Sequence, residues 1–426
     1  MRLILNIVLC ASIFVGCQPK SDDIIRIVDD SDLKTFWKID LQKEFIGAQE
    51  ELEFWLQKAS KNSNGHIYLQ QAAKASIKLY RVTGKAKYLN LNKTLLEKAN
   101  GLVQGNHKVN NLLLLSHSEM MLHNFESAVN YAVKAASLTK EKYGPLLMQF
   151  DGELELANYN ACKRLLEKTK RDDSFSYFVR IAKFKDHEGH LDSAIYYTEK
   201  AIKHVTSPSE RNWLLSHLGD LYGHDGMINK SYETYLKSLS FDANNHHTLK
   251  GIAWIAFSHD KNFDLAKRLS EYLVSNYGNP EYLLLLADIE ETMGNLKRAE
   301  LHREHFISKA KSPIYNSYLI PLLASNDAKE AIRIATTEIH RRPTPEIFSL
   351  LAWAYFNDDQ KKKALEIIES EVLGKTYEPM ALYQAAEIYY GSGYHSKGVA
   401  IAKNLMESEF ELGPLVINRI RIISES

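Results

Sequence analysis

The sequence is short of the residues that punctuate folds rich in turns. Its 426 residues hold only 10 prolines and 20 glycines, below the usual ~5% and ~7%. That shortage disfavours a β-sandwich and favours long helices joined by short connections. Three cysteines are too few for a disulfide framework or a Cys-rich zinc site. A surplus of one charge is missing too, since 53 Lys and Arg balance 53 Asp and Glu. Without a basic excess, the counterion release that drives nucleic-acid binding has little to act on. No stretch offers the about 20 apolar residues that a membrane-spanning helix needs. What is there is ordinary for a globular chain, 45% hydrophobic and 25% charged, which argues against disorder. Length alone suggests two or three domains of roughly 150 residues.

The N-terminus carries the first specific signal. Met1 to Gly16 reads MRLILNIVLCASIFVG, with Arg2 ahead of an apolar run from Leu3 to Val15. That run has the length of a signal-peptide core. Phe14-Val15-Gly16-Cys17 resembles a bacterial lipobox, with Phe14 standing where Leu is usual. The resemblance implies that Cys17 is lipidated and becomes the mature N-terminus. Several acyl chains, at about 0.8 kcal/mol per buried CH₂, hold a protein stably on a membrane. Gln18-Pro19-Lys20-Ser21-Asp22-Asp23 resembles the short acidic export tag of surface lipoproteins in Bacteroidota; the plainer reading is a polar tether. Cys10 would leave with the signal, and Cys162 would remain as a packed thiol in a helix.

The rest of the chain repeats. A small residue in one helix is followed by a break and a second small residue twelve positions on. Ser116 pairs with Ala128, Ala182 with Ala194, Gly219 with Ser231, Ala287 with Ala299, Ala352 with Ala364 and Ala386 with Gly398. Ala253 to Ala266 carries one extra residue. Only small side chains let two antiparallel helices cross this closely. The second small residues fall at 128, 161, 194, 231, 266, 299, 331, 364 and 398, a period near the 34 residues of tetratricopeptide repeats and below the ~40–47 of armadillo and HEAT arrays. The run Trp213-Leu214-Leu215-Ser216-His217-Leu218-Gly219-Asp220-Leu221-Tyr222, then Gly226, Ser231 and Tyr235, resembles that family. So does Phe348 to Tyr355 followed by Ala364. Lys185 and Glu290 depart from it where Tyr is usual, and Leu319 stands where a small residue is expected.

The resemblance implies an all-α superhelix of about nine to ten helix-turn-helix repeats with a C-terminal capping helix. The expected organisation is a signal at 1–16, a lipidated Cys17 and polar tether at 17–35, and N-terminal helices with a degenerate repeat at 36–104. The array then runs over 105–411, and a capping helix over 412–426 follows Gly413-Pro414, with Leu415, Ile420 and Ile423 on one face. In this family the first helix of each pair lines a concave wall, with its second, fifth, ninth, twelfth and thirteenth positions facing inward. That register places Trp254, Phe257, Trp353, Phe356, Tyr383, Glu387 and Tyr390 on the wall. His117, Met120, Met121, Lys183, Asp220, Asp288 and Glu291 join them. Arrayed aromatics suit a peptide or a sugar ring; packing into neighbouring helices is the alternative. The Lys/Arg/Asn clamp of carboxylate-gripping relatives is absent from the ninth positions.

No catalytic constellation assembles. His302 and His305 lie one helical turn apart without the HExxH arrangement or a third ligand. His246-His247 and Gly223-His224-Asp225-Gly226 read as connections. There is no phosphate loop and no GxSxG elbow. Lys361-Lys362-Lys363 reads as a solvated face. The expectation is a non-enzyme without cofactor or metal: a membrane-anchored scaffold in the cell envelope that binds protein or peptide partners. A glycan-binding surface lipoprotein beside an outer-membrane transporter is the alternative. A hydrolase built on His302 and His305 ranks last.

Overall fold

The computed structural model describes residues 25–34, 41–62 and 65–426. The signal and Cys17 lie outside the described residues, as do 35–40 and 63–64. Among the described residues every regular element is helical. A one-turn helix α1 (Asp30–Leu33) precedes α2 (Leu41–Ser60). Ten antiparallel pairs follow. The first three are α3 (His66–Thr83) with α4 (Lys87–Gly101), α5 (Lys108–Met121) with α6 (Phe125–Ser137), and α7 (Tyr143–Glu155) with α8 (Tyr159–Lys168). Next come α9 (Phe175–His187) with α10 (Leu191–His204), then α11 (Pro208–His224) with α12 (Ile228–Phe241). The second half starts with α13 (His246–Trp254) and α14 (Phe263–Asn276), then α15 (Tyr282–Thr292) and α16 (Leu296–Lys309). It continues with α17 (Asn316–Asn326) and α18 (Ala328–Arg341), α19 (Pro345–Asn357) and α20 (Lys361–Ile367), and α21 (Pro379–Gly391) and α22 (His395–Leu405). A final helix, α23 (Glu409–Ser424), ends the chain. The all-α superhelix expected from the repeat is what the chain forms.

The twelve-residue spacing has a direct structural cause. Ala128, Ala194, Ser231, Ala266, Ala299, Ala331 and Ala364 are all 0% exposed, sitting where the two helices of a pair cross. Where the small residue is Ser, its hydroxyl bonds across the crossing: Ser116 Oγ donates to the Ala128 carbonyl, and Ser231 Oγ to that of Gly219, each at 2.7 Å. Seven residues after the first small residue the chain turns left-handed. Gly189, Gly226, Gly294 and Gly393 hold φ of 74°, 72°, 82° and 89° there, which only glycine adopts freely. His123, Ala157 and Asp359 occupy the same place at φ of 57°, 57° and 56°. Two details correct the sequence reading. In the α7–α8 pair the crossing residue is Cys162, fully buried with Sγ 3.9 Å from the Phe150 carbonyl, and not Ala161 beside it. The extra residue between Ala253 and Ala266 is a π-helical turn over Ile255–His259 that continues α13.

The superhelix winds tightly enough for its second turn to pack on its first. The Gly278 amide reaches the Val82 carbonyl at 3.4 Å, and Tyr315 Oη donates to the Gly84 carbonyl at 3.1 Å. Arg341 Nη2 caps the end of α5 through the Leu122 and His123 carbonyls at 3.2 and 3.1 Å and Asn124 Oδ1 at 3.0 Å. Arg342 pairs with Glu155 at 3.2 Å, and the Tyr377 ring lies against Gly189. Partners along this seam are offset by about six hairpins in the order of elements. Gly413, at φ 73°, breaks α23 ahead of Pro414. Beyond the break Ile417, Ile420 and Ile423 are buried while Leu415 is half-buried, so Ile417 holds the inward place read for Leu415. No described helix is long and apolar enough to cross a membrane.

Candidate functional site

Five of the residues read as a concave wall in the second half of the array, Trp254, Phe257, Tyr383, Glu387 and Tyr390, pack toward the chain's own last helix. Trp254 Nε1 donates to the Phe410 carbonyl at 2.9 Å, and Ser258 Oγ to the same oxygen at 2.7 Å. Phe257 is 1% exposed, in edge contact with Trp254 and Phe263. Glu387 is 6% exposed and takes a bidentate ion pair from Arg419 of α23, Nε–Oε1 2.5 Å and Nη2–Oε2 3.0 Å. Tyr383 Oη donates to Glu387 Oε1 at 3.1 Å. Tyr390 packs with Tyr383 and Val416 of α23 around the buried Ile417 and Ile420. These placements make Trp254, Phe257, Tyr383, Glu387 and Tyr390 packing residues toward α23 in this structure. Trp353 and Phe356 are half-buried, their rings 5.8 Å apart, and Phe356 lies on Gly391. The physical reason is the tight winding, which brings the chain's end into the groove the register points at. Arg419→Met is expected to cost about 1 kcal/mol, since the guanidinium is partly solvated. Thermal unfolding of the variant against the parent checks this.

The open cavity lies in the first half. About 1130 Å³ is enclosed between α2, α3 and the stretch from α11 to the start of α13. Its walls include Arg81, His117, Trp213, His217, Asp220 and His247. His117 and Asp220 were placed on the wall by the sequence. Trp213 and His247 were missed, although each holds the second position of its helix in the same register, where an inward side chain is expected. Trp213 is 46% exposed, and its indole runs nearly parallel to the His217 imidazole, at 4° and 6.0 Å. Lys183, Met120 and Met121 do not line this cavity; Asp288 and Glu291 pair with Arg303 instead.

The cavity wall carries a graded set of charges. His247 Nε2 lies 2.7 Å from Asp220 Oδ2, while Tyr235 Oη donates to Asp220 Oδ1 at 2.6 Å. Burial opposes ionisation of both partners, yet their mutual contact raises His247 and lowers Asp220. Lys250, at the fifth position of the same helix, pairs with Glu281 at 3.6 Å. His217 and His246 go the other way: burial lowers each to about 4, so both imidazoles are neutral at pH 7. The wall therefore combines one open aromatic platform, three imidazoles that burial keeps from protonating (His117, His217 and His246) and one ion-paired imidazole, His247. That surface can grip a mixed polar and apolar ligand. Among the described residues no group of three or more His, Cys, Asp or Glu is placed to hold a metal ion.

A second cavity of about 430 Å³ opens on the seam between superhelical turns. Asp186, Glu346, Glu378 and Glu411 face one another there, with His187, His224, Lys183 and Arg342 around them. Burial, then the neighbouring Glu411 and Glu346, push Glu378 up to about 7. Asp186 and Glu411 are raised for the same first reason.

No family model matches the sequence, and no curated protein matches it. Solved structures do resemble the fold. A tetratricopeptide repeat protein from Parabacteroides merdae is 17% identical, covering 59% of this chain and 99% of its own, with a TM-score of 0.35. PilF of Pseudomonas aeruginosa is 14% identical, covering 51% and 99%, with a TM-score of 0.38. Human IFIT1, solved as a dimer with m7Gppp-AAAA, is 14% identical over 75% of this chain and 72% of its own, with a TM-score of 0.48.

Proposed function

We propose that the protein is a lipid-anchored, tetratricopeptide-like scaffold of the bacterial cell envelope that binds an extended segment of a partner protein in the cavity of its first superhelical turn. The observation that carries this is the cavity itself, with a half-exposed Trp213 flanked by the Asp220–His247 pair. A partly exposed Trp inside a concavity is the typical energetic centre of a protein interface. The lipobox-like Phe14 to Cys17 supports attachment through Cys17 to a membrane, with the outer membrane, facing periplasm or cell surface, as its place. Affinity capture from detergent-solubilised membranes is expected to recover a specific protein, and Trp213→Ala to weaken that capture about tenfold. Recovery of the bait alone, or a Trp213→Ala protein that captures as well as its parent, sinks this reading.

Glycan binding is the second reading. Its support is the open indole beside the carboxylates Glu210 and Asp220 and the amides Asn212 and Asn245 in one cavity, a pairing of flat apolar face and directional polar groups that suits a sugar ring. Calorimetric titration with oligosaccharides separates the two: heat that vanishes in Trp213→Ala favours the glycan.

A further inference from the structure

The segment ahead of the array is seated, not free, from Ile27 onward, which changes the reading of 17–35 as a polar tether throughout. The seat is the deviant repeat. The π-helical turn Ile255–His259 delivers Asp260, whose side chain is fully shielded from solvent, to the outer flank of the array. Asp260 accepts the Ile27 amide on Oδ1 at 3.0 Å and the Val28 amide on Oδ2 at 2.9 Å, with His259 Nδ1 2.8 Å from Oδ1. Tyr232 Oη accepts the Asp29 amide at 3.2 Å and lies 3.1 Å from Asp32 Oδ2. Arg268 pairs with Asp30 at 3.1 Å. Val28 and Leu33, 6% and 0% exposed, complete the core of this repeat. Without the strap, Asp260 would be a buried carboxylate left with His259 alone, a costly state. A π turn inserted into a helix commonly marks a functional place. Here it builds a receptor for the chain's own segment.

We infer that this strap fixes how the array stands on a lipid surface: the flank formed by α12 and α14 faces the bilayer, and the array does not hang from its N-terminal helices. The inference rests on the reading of Cys17 as the acylated anchor. Ile25, 84% exposed, is the first described residue. Eight residues of chain from Cys17 span at most about 29 Å at ~3.6 Å each. With the strap seated, the flank is therefore held close to the lipid. With it released, the leash extends to Leu41 and reaches roughly 85 Å by the same measure, enough for any face to turn toward the membrane.

The test uses acylated full-length protein on vesicles that carry an energy-acceptor lipid. Cys162 is buried and its thiol is pushed up to about 12 by that burial, so an introduced surface cysteine can be labelled selectively. Donors go at Glu271→Cys on α14 and at Glu366→Cys on α20, three hairpins and so about half a superhelical turn away. Transfer from position 271 is expected to be at least twofold higher than from 366. Leu33→Asp, which expels the strap's buried anchor and changes no residue of the receptor repeat itself, is expected to equalise the two and to expose the Ile27 and Val28 amides to fast hydrogen exchange. Equal transfer in the parent, or an undiminished difference in Leu33→Asp, overturns the inference. An unmodified Cys17 in the intact mass would overturn the anchor reading and the orientation with it, while hydrogen exchange at Ile27 and Val28 still reports the strap separately.

Discussion

Gly278→Ala is expected to separate the two superhelical turns, with a loss of about 3 kcal/mol of stability. A methyl group on Gly278 would overlap the carbonyl carbon and oxygen of Thr83. Those are backbone atoms, so no rotamer change relieves the clash; the two segments must move apart. Moving them weakens the Gly278–Val82 contact and the Tyr315–Gly84 hydrogen bond, then loads the Arg341 cap on the end of α5. Small-angle scattering should show a larger radius of gyration, and thermal unfolding a lower or biphasic transition. Gly47→Ala is the control: nothing lies within 4 Å of its added methyl, and alanine inside a helix should stabilise by roughly 0.5–1 kcal/mol. An unchanged radius of gyration in Gly278→Ala would show that the seam is not closed in solution.

The contrast between local and distant signals explains what the sequence disclosed. Each hairpin is written within about 34 residues: two small residues at the crossing, a left-handed turn seven residues after the first, and apolar faces between. Even the exception was visible, since the thirteen-residue spacing from Ala253 to Ala266, one longer than elsewhere, is taken up by the π turn Ile255–His259. The single-residue slip at Ala161 arose because Cys162 was not counted among small residues, although its side chain fits the crossing as Ser does. The seam is different in kind. Arg341 and Leu122, or Trp254 and Phe410, are separated by 219 and 156 positions, and no local pattern encodes how tightly stacked hairpins wind. Inward register therefore named the right face of α13 and α21 without revealing that α23 fills it. The same register, applied at the second position, would have named Trp213 and His247.

Self-occupancy of the wall divides the array by function. In the second half, Trp254, Phe257, Tyr383, Glu387 and Tyr390 pack toward α23, while Trp353 and Phe356 lie on each other and on Gly391. In the first half the corresponding surface stays open around Trp213. The strap at Asp260 and the helix end at Phe410 both converge on the α13–α14 pair, from the outside and from the groove respectively. That pair is thus the joint through which the chain's two ends are tied to its middle. Its π turn and the residue that caps it supply both attachments, Asp260 outward and Ser258 inward.

Acidity is expected to tighten the seam, and Glu378→Gln to abolish much of that dependence. Glu378 on the loop entering α21 faces Asp186 of α9, Glu346 of α19, Glu411 of α23 and His224 of α11, with His187, Lys183 and Arg342 in the same cavity. Burial, reinforced by Glu411 and Glu346 and opposed by His224, raises its carboxyl to about 7 from 4.5. A carboxyl with a raised folded-state pKa binds its proton more tightly in the closed structure than in the unfolded chain. Its stabilising contribution is therefore complete below about pH 4.5 and is lost as pH rises through about 7. Asp186 and Glu411, also raised, act in the same direction. His187 acts against it, because burial lowers its pKa and protonation then favours opening. The whole-protein profile mixes these terms, so the informative quantity is the difference between variant and parent. Gln keeps the shape and removes the charge: the two proteins should match near pH 5, and Glu378→Gln should be the more stable by about 1 kcal/mol at most at pH 8, because Glu378 is itself solvent-exposed and water screens much of the penalty. Parallel thermal or urea unfolding at both pH values measures this. A difference that is the same at pH 5 and pH 8 would mean that Glu378 ionises freely and that the seam carries no proton-linked strain.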